Sequence, residues 1–492
     1  MKLSKITPST KKIFFFFCFL SSTLFSSAQV STSSPYSRYG IGDLESTSLT
    51  KNLGMGGTEI AITHPLFINS GNPASYADLF LTSFDVGLKF NQYKLSTAKS
   101  SQNTNVASLS YFQFAFPIIP FKWSLGFGLQ PYSNVGYSIV ENTTTPFGDA
   151  EKRSYKGSGG LNSFHIGTGK KFGKHLSLGV NIEYIFGVVD HNKSIEFTSP
   201  YYMNAFDNRS TAIGWFHYNF GMQYTVDSLR LAKSDSIVMF DKKIKVLSDS
   251  LSHILSGPST PDYDAKNILN QEIAQTKDLR NKVLVKKKKS DWRLTLGLIG
   301  SPVANLNARE TRVVASYRFY NYALPDQILM RDTAIYSTSD QKKVTLPMSV
   351  GIGAALKKGT RWTFAGDYSI QQWSDFKFLD VKDSLFDSWK AAVGIQYIPN
   401  DRALRGYSHF ISYRLGFHYQ QTFLNVGTEK INDVGLSFGL GLPIGKAATN
   451  IHFSVEVGKR GDTSFNPIEE KYIKFGLGIT INDRWFIKPK YD

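Results

Sequence analysis

The sequence predicts an all-β protein, a transmembrane antiparallel β-barrel of 14 strands with an N-terminal lumenal plug and a helical periplasmic insertion. Segments of about ten residues alternate between apolar and polar positions from residue 82 almost to residue 492. Aromatic residues stand near the ends of these segments. After the first 30 positions, no apolar run approaches the ~20 residues that a membrane-spanning helix needs. These three observations place the chain in the outer membrane of a Gram-negative cell.

The first 28 residues are predicted to be a secretory signal peptide. Four lysines precede an apolar run from Ile13 to Phe25, and small residues at 26–28 precede Gln29. The only cysteine, Cys18, lies in this segment, so the mature chain is expected to hold neither a disulfide nor a thiolate metal site. Removing the segment takes away four lysines and no acidic residue, which lowers the formal charge from +17 to +13. An exported protein meets little nucleic acid, so this basic balance does not indicate a nucleic-acid partner.

Residues 29–81 do not alternate and are rich in glycine and turn-forming residues. A segment of this length before a wide barrel is expected to fill the lumen, so we assign 29–81 as a plug, or hatch. The barrel is predicted to occupy 82–492, interrupted by an insertion at 226–290.

The alternation has the period of a strand with two different faces. It is clearest in residues 84–91, 175–184, 348–356, 411–419 and 473–481. A soluble sandwich would also alternate, but its outward face would be charged and its strands would average about five or six residues. Tryptophans near the segment ends suit the interfacial girdle of a membrane barrel, and these are Trp123, Trp292, Trp362, Trp389 and Trp485.

Connection lengths test the strand count, because such barrels have short periplasmic turns and longer outer loops. Residues 291–300 and 310–320 are close in sequence, and counting them as one long, bulged strand gives 14 strands. The short connections then all fall on the predicted periplasmic side, and they are 117–121, 171–174, 357–360, 399–407 and 443–448. The longer connections fall on the outer side.

The exception is the insertion at 226–290, which is long but lies on the periplasmic side. Apolar residues step by three and four through Ile244, Leu247 and Leu251, and again through Leu269 and Ile273, which predicts two amphipathic helices joined by a turn at 257–262. The insertion holds 13 basic and 8 acidic residues, a balance of +5. Two interpretations are open: a solvated spacer, or an element that docks on a periplasmic partner or on anionic lipid.

Two short motifs stand in the plug segment, and they are Gly54-Met55-Gly56-Gly57 and Asn72-Pro73-Ala74. With the opening at 36–42 and the end at 483–488, they resemble the FadL/TodX family of outer-membrane transport proteins, in particular its Bacteroidetes-type branch. The resemblance implies a 14-stranded barrel closed by an N-terminal hatch. The two motifs are expected either to set turn geometry in the hatch or to belong to a plug that shifts when ligand binds.

The resemblance also implies a function, which is passive uptake of hydrophobic compounds such as long-chain fatty acids. In that family the ligand binds in the lumen and leaves sideways into the outer-membrane lipid through a gap at a strand kink. Gly126, Gly128 and Pro131 are candidates for the kink. The alternative is a structural, assembly or secretion-associated barrel that docks partner proteins through 226–290.

Neither catalysis nor metal binding has support in the sequence. There is no nucleotide-binding or zinc-protease motif, and one Gly-x-Ser-x-Gly match at 435–439 lies inside an alternating strand. The nine histidines include no pair four residues apart, and we expect no enzyme activity, cofactor or metal. His175 and His418 stand at lumen parity and are expected to be ordinary lumenal polar residues. Several charged residues at or near lumen parity are expected to pair with each other or with the plug, and these are Lys89, Glu183, Arg293, Arg312, Arg318, Asp367 and Arg414.

Overall fold

The computed structural model describes residues 34–98, 100–199, 201–227, 235–256, 263–288, 292–321, 324–400, 406–426, 429–444, 449–463, 468–483 and 485. The predicted signal peptide and the predicted turn at 257–262 lie outside these residues. In the part that is described, no helix is both long and apolar enough to cross a membrane.

One antiparallel sheet closes on itself, because β2 (Thr82–Ser96) pairs along its whole length with β21 (Glu469–Asp483). The strands between them are β3 (Ser101–Ile119), β4 (Trp123–Asn134), β5 (Tyr137–Thr144), β6 (Ala150–Phe172), β7 (Leu176–Phe197), β8 (Asn204–Asp227), β9 (Trp292–Ser301), β10 (Ala304–Asn321), β11 (Leu324–Thr338), β12 (Lys342–Leu346), β13 (Ser349–Lys358), β14 (Trp362–Gln371), β15 (Lys377–Phe378), β16 (Val381–Lys382), β17 (Ser388–Tyr397), β18 (Ser412–Val426), β19 (Glu429–Ile444) and β20 (Thr449–Arg460).

Several of these strands continue one another along the wall. Strands β4 and β5 both pair with β6, and β9 and β10 both pair with β8. Strands β11 and β12 pair with β10, and β13 pairs with β9 nearer the periplasmic end. Counted in this way the barrel has 14 strands, which confirms the predicted number, and the join at 291–320 that produced it is also confirmed.

The wall is taller on one side than the bilayer requires. Strands β6, β7 and β8 have 23, 22 and 24 residues, about twice the ~10 that a tilted spanning strand needs. Much of what the sequence suggests as outer loop is therefore sheet, because cross-strand pairing continues beyond the membrane. The outward apolar side chains of the lower part, such as Leu88, Ile166 and Ile352, are more than half exposed and form the lipid-facing surface.

The hatch fills the lumen with short elements. They are a 3₁₀ helix at Pro35–Arg38, strand β1 (Asp43–Leu44), helix α1 (Thr50–Leu53) and a second 3₁₀ helix at Pro73–Asp78. The outer end of the lumen is closed by an apolar cluster in which Tyr36 and Ile41 of the hatch pack with Leu161, Trp373 and Phe376 of the wall and its loops. The predicted fold class, a 14-stranded barrel with a lumenal plug and a helical insertion, is confirmed.

The insertion consists of helices α2 (Asp235–Ser256) and α3 (Tyr263–Lys288), which lie between β8 and β9 on the side of the short turns. Their contact includes an ion pair of 2.5 Å between Arg280 and Asp241 and the buried side chains of Ile273 and Thr276. Of these, Ile273 belongs to the apolar face that the sequence predicts for the second helix.

Candidate functional site

The Gly54-Met55-Gly56-Gly57 motif is seated on wall glycines of three consecutive strands. A Cβ added to Gly394, Gly416 or Gly439 would come within 2.4 Å of Met55 O, 1.9 Å of Gly56 N and 2.9 Å of Gly54 Cα, respectively. The backbones of hatch and wall therefore touch, and only glycine leaves room for this. Gly56 and Gly57 themselves have φ of +73° and +77°, where a side chain would be strained.

The Asn72-Pro73-Ala74 motif begins the second 3₁₀ helix of the hatch. Asn72 is fully buried, and its Oδ1 accepts a hydrogen bond from Ala74 N at 3.0 Å, which caps the helix. Its Nδ2 donates to Ile60 O at 2.6 Å. The seat is again a row of wall glycines on consecutive strands, made by Gly169, Gly179 and Gly221.

Both motifs are therefore in extended contact with the wall. Their packing agrees with the structural interpretation, in which these residues set the geometry of the hatch. Whether the hatch shifts when ligand binds stays a prediction.

Three of the charged residues expected near the lumen pair with the hatch or with each other. Lys89 Nζ lies 2.5 Å from the carboxylate of hatch residue Glu45. Glu183 lies 3.2 Å from His217 on the neighbouring strand. Asp367 Oδ2 accepts the backbone N–H of hatch residue Glu59 at 2.6 Å.

Other polar residues lie elsewhere than parity suggested. Arg312 pairs with Asp207, and Arg318 donates to Met203 Sδ, both on the part of the wall that extends outside the membrane. His175 is exposed at a periplasmic turn and lies 2.8 Å from Thr225 O. Alternation predicts which face of the sheet a side chain lies on, but not how far along the barrel axis it lies. These three residues lie beyond the ends of the membrane-embedded lumen.

The Gly-x-Ser-x-Gly match holds a structural serine. Ser437 lies in β19 with its side chain fully buried, and its Oγ accepts the N–H of Gly56 at 2.8 Å. His418 lies between Asp433 and Glu456 at 3.7 and 3.8 Å. Among the described residues, no group of three or more His, Cys, Asp or Glu is arranged to hold a metal ion.

The wall is interrupted between its second and third strands. The last pair between β3 and β4 on the outer side is Phe112 with Leu129. Beyond it, residues 101–111 of β3 pair with β2 alone, and β5 pairs with β6 alone, within the described residues. Leu109 and Leu129 stand at the two margins with 46% and 38% of their surface exposed, so the gap begins in the lipid-facing part of the wall.

The gap exists because the third wall strand bends inward. Its register against β6 shifts between Pro131 and Ser133, where proline supplies no N–H to the ladder. The facing strand bends at Gly159 and Gly160, with φ of +96° and +146°, and a Cβ on Gly160 would fall 2.4 Å from Ser133 O. Of the three kink candidates in the sequence, Pro131 lies at the irregularity. The sequence signal for the bend in β6 is the pair of consecutive glycines, Gly159 and Gly160, inside a strand pattern.

Hatch strand β1 pairs with the bent segment and covers the gap from inside. Leu44 faces Ser133 in an antiparallel pair, and the N–H of Glu45 donates to Tyr132 O at 3.0 Å. The Glu45 carboxylate accepts from Lys89 and from Asn134, both at 2.5 Å. Burial alone would raise the pKa of Glu45, but Lys89 and Asn134 beside it hold that pKa below its usual value. The covering strand is thus fastened by an ionised carboxylate.

A family model described as BamG matches residues 10–285 and 278–492. No curated protein matches the sequence. Among solved structures, the toluene transporter TodX of Pseudomonas putida superposes with a TM-score of 0.52 at 12% identity, over 91% of this chain and 100% of that chain. A FadL homologue of Pseudomonas aeruginosa gives a TM-score of 0.52 at 10% identity, over 90% and 99%. The resemblance to the FadL/TodX fold is thereby confirmed, whereas the Bacteroidetes-type branch stays a prediction.

Proposed function

Because this chain belongs to the BamG family and has the barrel-and-hatch fold of FadL-type proteins, we propose that it takes up hydrophobic compounds passively across the outer membrane. Long-chain fatty acids or similar molecules would enter from outside and leave sideways into the lipid. The observation that carries this proposal is the gap between β3 and the bent third strand, which opens at the height of the lipid-facing residues.

A sideways exit is favourable for an apolar ligand. Re-exposing apolar surface to water costs about 25 cal/mol for each Å², so a route from lumen to bilayer avoids that penalty. The apolar cluster around Tyr36, Trp373 and Phe376 at the outer end of the lumen offers a compatible surface for entry. Passage through it requires these side chains to move apart.

The gate in this proposal is β1. It is only two residues long, and each hydrogen bond that it makes with β4 contributes about 1 kcal/mol. A ligand that binds the open state better by a few kcal/mol would release it. The hatch body, seated on the wall glycines, stays in place.

A disulfide between β1 and the bent strand tests the gate. Since Glu45 and Tyr132 form a hydrogen-bonded pair, Leu44 and Ser133 form the adjacent non-hydrogen-bonded pair, whose Cα atoms are expected ~4.5 Å apart, within disulfide range. The mature chain has no other cysteine. In a strain that lacks its own uptake system, Leu44→Cys with Ser133→Cys should lose uptake of labelled fatty acid on oxidation and regain it on reduction.

The two single-cysteine variants are the matched controls and should transport under both conditions. If the double variant is fully cross-linked, as its mobility on a gel would show, and still transports at the original rate, the exit does not lie at this gap.

A second candidate function is docking of a partner protein through the insertion. The observation in its favour is that Met239, Val246, Ile268 and Leu279 of helices α2 and α3 are half or more exposed, which gives a partner protein apolar surface to cover. Replacing 228–290 by a short turn should then abolish a defined complex while the barrel still folds. Uptake would survive the same deletion if transport is the function.

A further inference from the structure

A buried cationic group lies on the periplasmic side of the hatch, away from the gap. It consists of Lys51 in α1, Arg414 in β18 and His452 in β20, all less than a tenth exposed. Arg414 is two positions and His452 three positions from the periplasmic ends of their strands, which begin at Ser412 and Thr449. The three residues therefore surround one place near the periplasmic mouth.

The contacts of these groups leave their charge uncompensated. Arg414 Nε donates to the neutral Gln396 Oε1 at 2.8 Å, and its Nη1 lies 3.4 Å from His452 Nδ1. Lys51 Nζ lies 4.0 Å from the centroid of the Phe67 ring. Among the described residues neither cation has a carboxylate within ion-pair distance, and the buried Nε2 of His452 has no hydrogen-bond partner.

Such an arrangement is unfavourable in the free protein. Each buried ion without a counter-ion loses its hydration, and a cation–π contact replaces only part of that loss. Burial lowers the pKa of Lys51 well below its ordinary value, and the positive charge of Arg414 lowers it further. The charge of Asp85 acts on Lys51 in the opposite direction. The charge of Lys357 acts on Lys51 in the same direction as that of Arg414, so the cations around this place outnumber the one acid.

We propose that Lys51, Arg414 and His452 bind the carboxylate head of an amphiphile that reaches the lumen from the periplasm. A carboxylate supplies negative charge that the described residues around this place lack, and the Arg414 Nη atoms and the Lys51 ammonium are its natural donors. The apolar part has a surface to lie on, because the ring of Phe67 packs between His452, at 5.0 Å, and His64, at 4.4 Å.

The segment that covers the site faces the periplasmic side. The loop that carries His64 and Phe67 is fastened to the start of the barrel, where Phe80 N donates to Pro65 O at 2.8 Å and Ser83 Oγ to Leu66 O at 3.4 Å. Pro65 is exposed there. This inference goes beyond the proposed uptake route, since it concerns a ligand on the other side of the hatch and does not require sideways release.

Binding of sodium octanoate to the purified full-length mature protein in detergent micelles tests the proposal. Octanoate should raise the temperature at which the barrel unfolds, by mass action, whereas octanol and octylamine at the same concentration should not. Lys51→Met and Arg414→Met should each weaken octanoate binding at least tenfold. Equal binding by the variants, equal stabilisation by octanol, or tighter binding of octyl phosphate than of octanoate would each overturn the proposed carboxylate site.

Stability without ligand gives an independent readout. Lys51→Met removes an uncompensated charge and should raise the unfolding temperature of the free protein. The matched control is Lys89→Met, which deprives the buried Glu45 carboxylate of its cationic partner and should lower that temperature. If Lys51→Met lowers it as well, Lys51 has a structural role and the proposal fails. Both results are independent of the cross-linking test of uptake.

Discussion

Asp367 of β14 and Glu59 of the hatch are two carboxylic acids held together inside the lumen, because Asp367 Oδ2 accepts the backbone N–H of Glu59 at 2.6 Å. The same oxygen accepts the N–H of Ile60 at 2.9 Å. The Glu59 side chain accepts hydrogen bonds from the hydroxyl groups of Thr47 and Ser48, at 2.6 and 2.8 Å. Asp367 of the wall therefore holds the hatch at Glu59, whose own carboxyl group is buried.

This arrangement predicts that stability falls as pH rises. Burial raises the pKa of Glu59 above its ordinary value of 4.5, although the two hydroxyl groups oppose the shift. The contribution of Glu59 to the free energy of unfolding is then largest below pH 4.5 and is lost as pH rises through the raised pKa of the folded state. Glu59→Gln should be more stable than the original protein at pH 7, and the advantage should shrink towards pH 4.

Urea unfolding in micelles from pH 4 to pH 8 measures this difference. Glu141→Gln on exposed strand β5 is the control and should change little at any pH. An advantage of Glu59→Gln that is constant with pH would show that the Glu59 carboxyl does not titrate in this range.

The close contact of Gly416 with Gly56 predicts that a single methyl group loosens the hatch. Gly416→Ala should lower the free energy of unfolding by ~1–3 kcal/mol, as overpacking does elsewhere, and should expose hatch residues to protease. Gly366→Ala is the matched control, because a Cβ there meets its nearest atom at an ordinary 3.8 Å. Equal effects of the two substitutions would show that the glycine seat does not determine hatch stability.

Ser437 provides a test of its assigned role as a hydrogen-bond acceptor. Ser437→Ala removes the shorter of the two hydrogen bonds of the Gly56 N–H, the other being to Leu53 O at 3.2 Å, and should cost about 0.5–1.5 kcal/mol of stability. A fluorophosphonate probe, which labels activated serines, should not label the original protein. Specific labelling that Ser437→Ala removes would contradict the structural assignment.

The inward bend predicts a glycine requirement in β6. Gly160→Ala places a Cβ 2.4 Å from Ser133 O and should displace the bent strand, so fatty-acid uptake should fall several-fold while the barrel remains in the outer membrane. Gly300→Ala is the control, since its Cβ would meet Ser349 O at 3.8 Å. Unchanged uptake by Gly160→Ala would separate transport from this bend.

The two-residue alternation of the sequence was sufficient to predict the barrel. It was not sufficient to predict how far the strands extend beyond the membrane or where β1 covers the gap. Two-residue alternation fixes which face of β7 is apolar, and tryptophans such as Trp123 and Trp362 mark strand starts, so the strand number was accessible. Alternation does not end at the membrane surface, and residues such as Arg312 were therefore placed too deep. The pairing of Leu44 with Ser133 joins residues far apart in sequence, and no local pattern announces it.

The same limit applies to the cationic site. Lys51 precedes the hatch motif, and Arg414 stands at lumen parity in an alternating strand, so each was visible as a polar residue. Their shared lack of a counter-ion depends on how the hatch packs against β18 and β20, which a sequence pattern does not encode.

The exposed apolar side chains of the insertion can be replaced by polar ones without unfolding the helical hairpin. Ile268 and Leu279 of α3 are 64% and 50% exposed, whereas Ile273 on the same helix is 9% exposed and packs within the hairpin. If the hairpin docks a partner protein, Ile268→Ser with Leu279→Ser should weaken that complex by roughly 20- to 300-fold, since burying the exposed half to two-thirds of each side chain contributes ~0.8–1.9 kcal/mol.

Helix content by circular dichroism should stay unchanged in that double variant. Ile273→Ser should instead lower the helix content, because it removes a contact inside the hairpin. Photo-crosslinking from position 268 in cells, compared with and without the double substitution, measures the complex directly. A crosslinked band that persists at full intensity when both apolar side chains are absent would show that this face does not hold the partner.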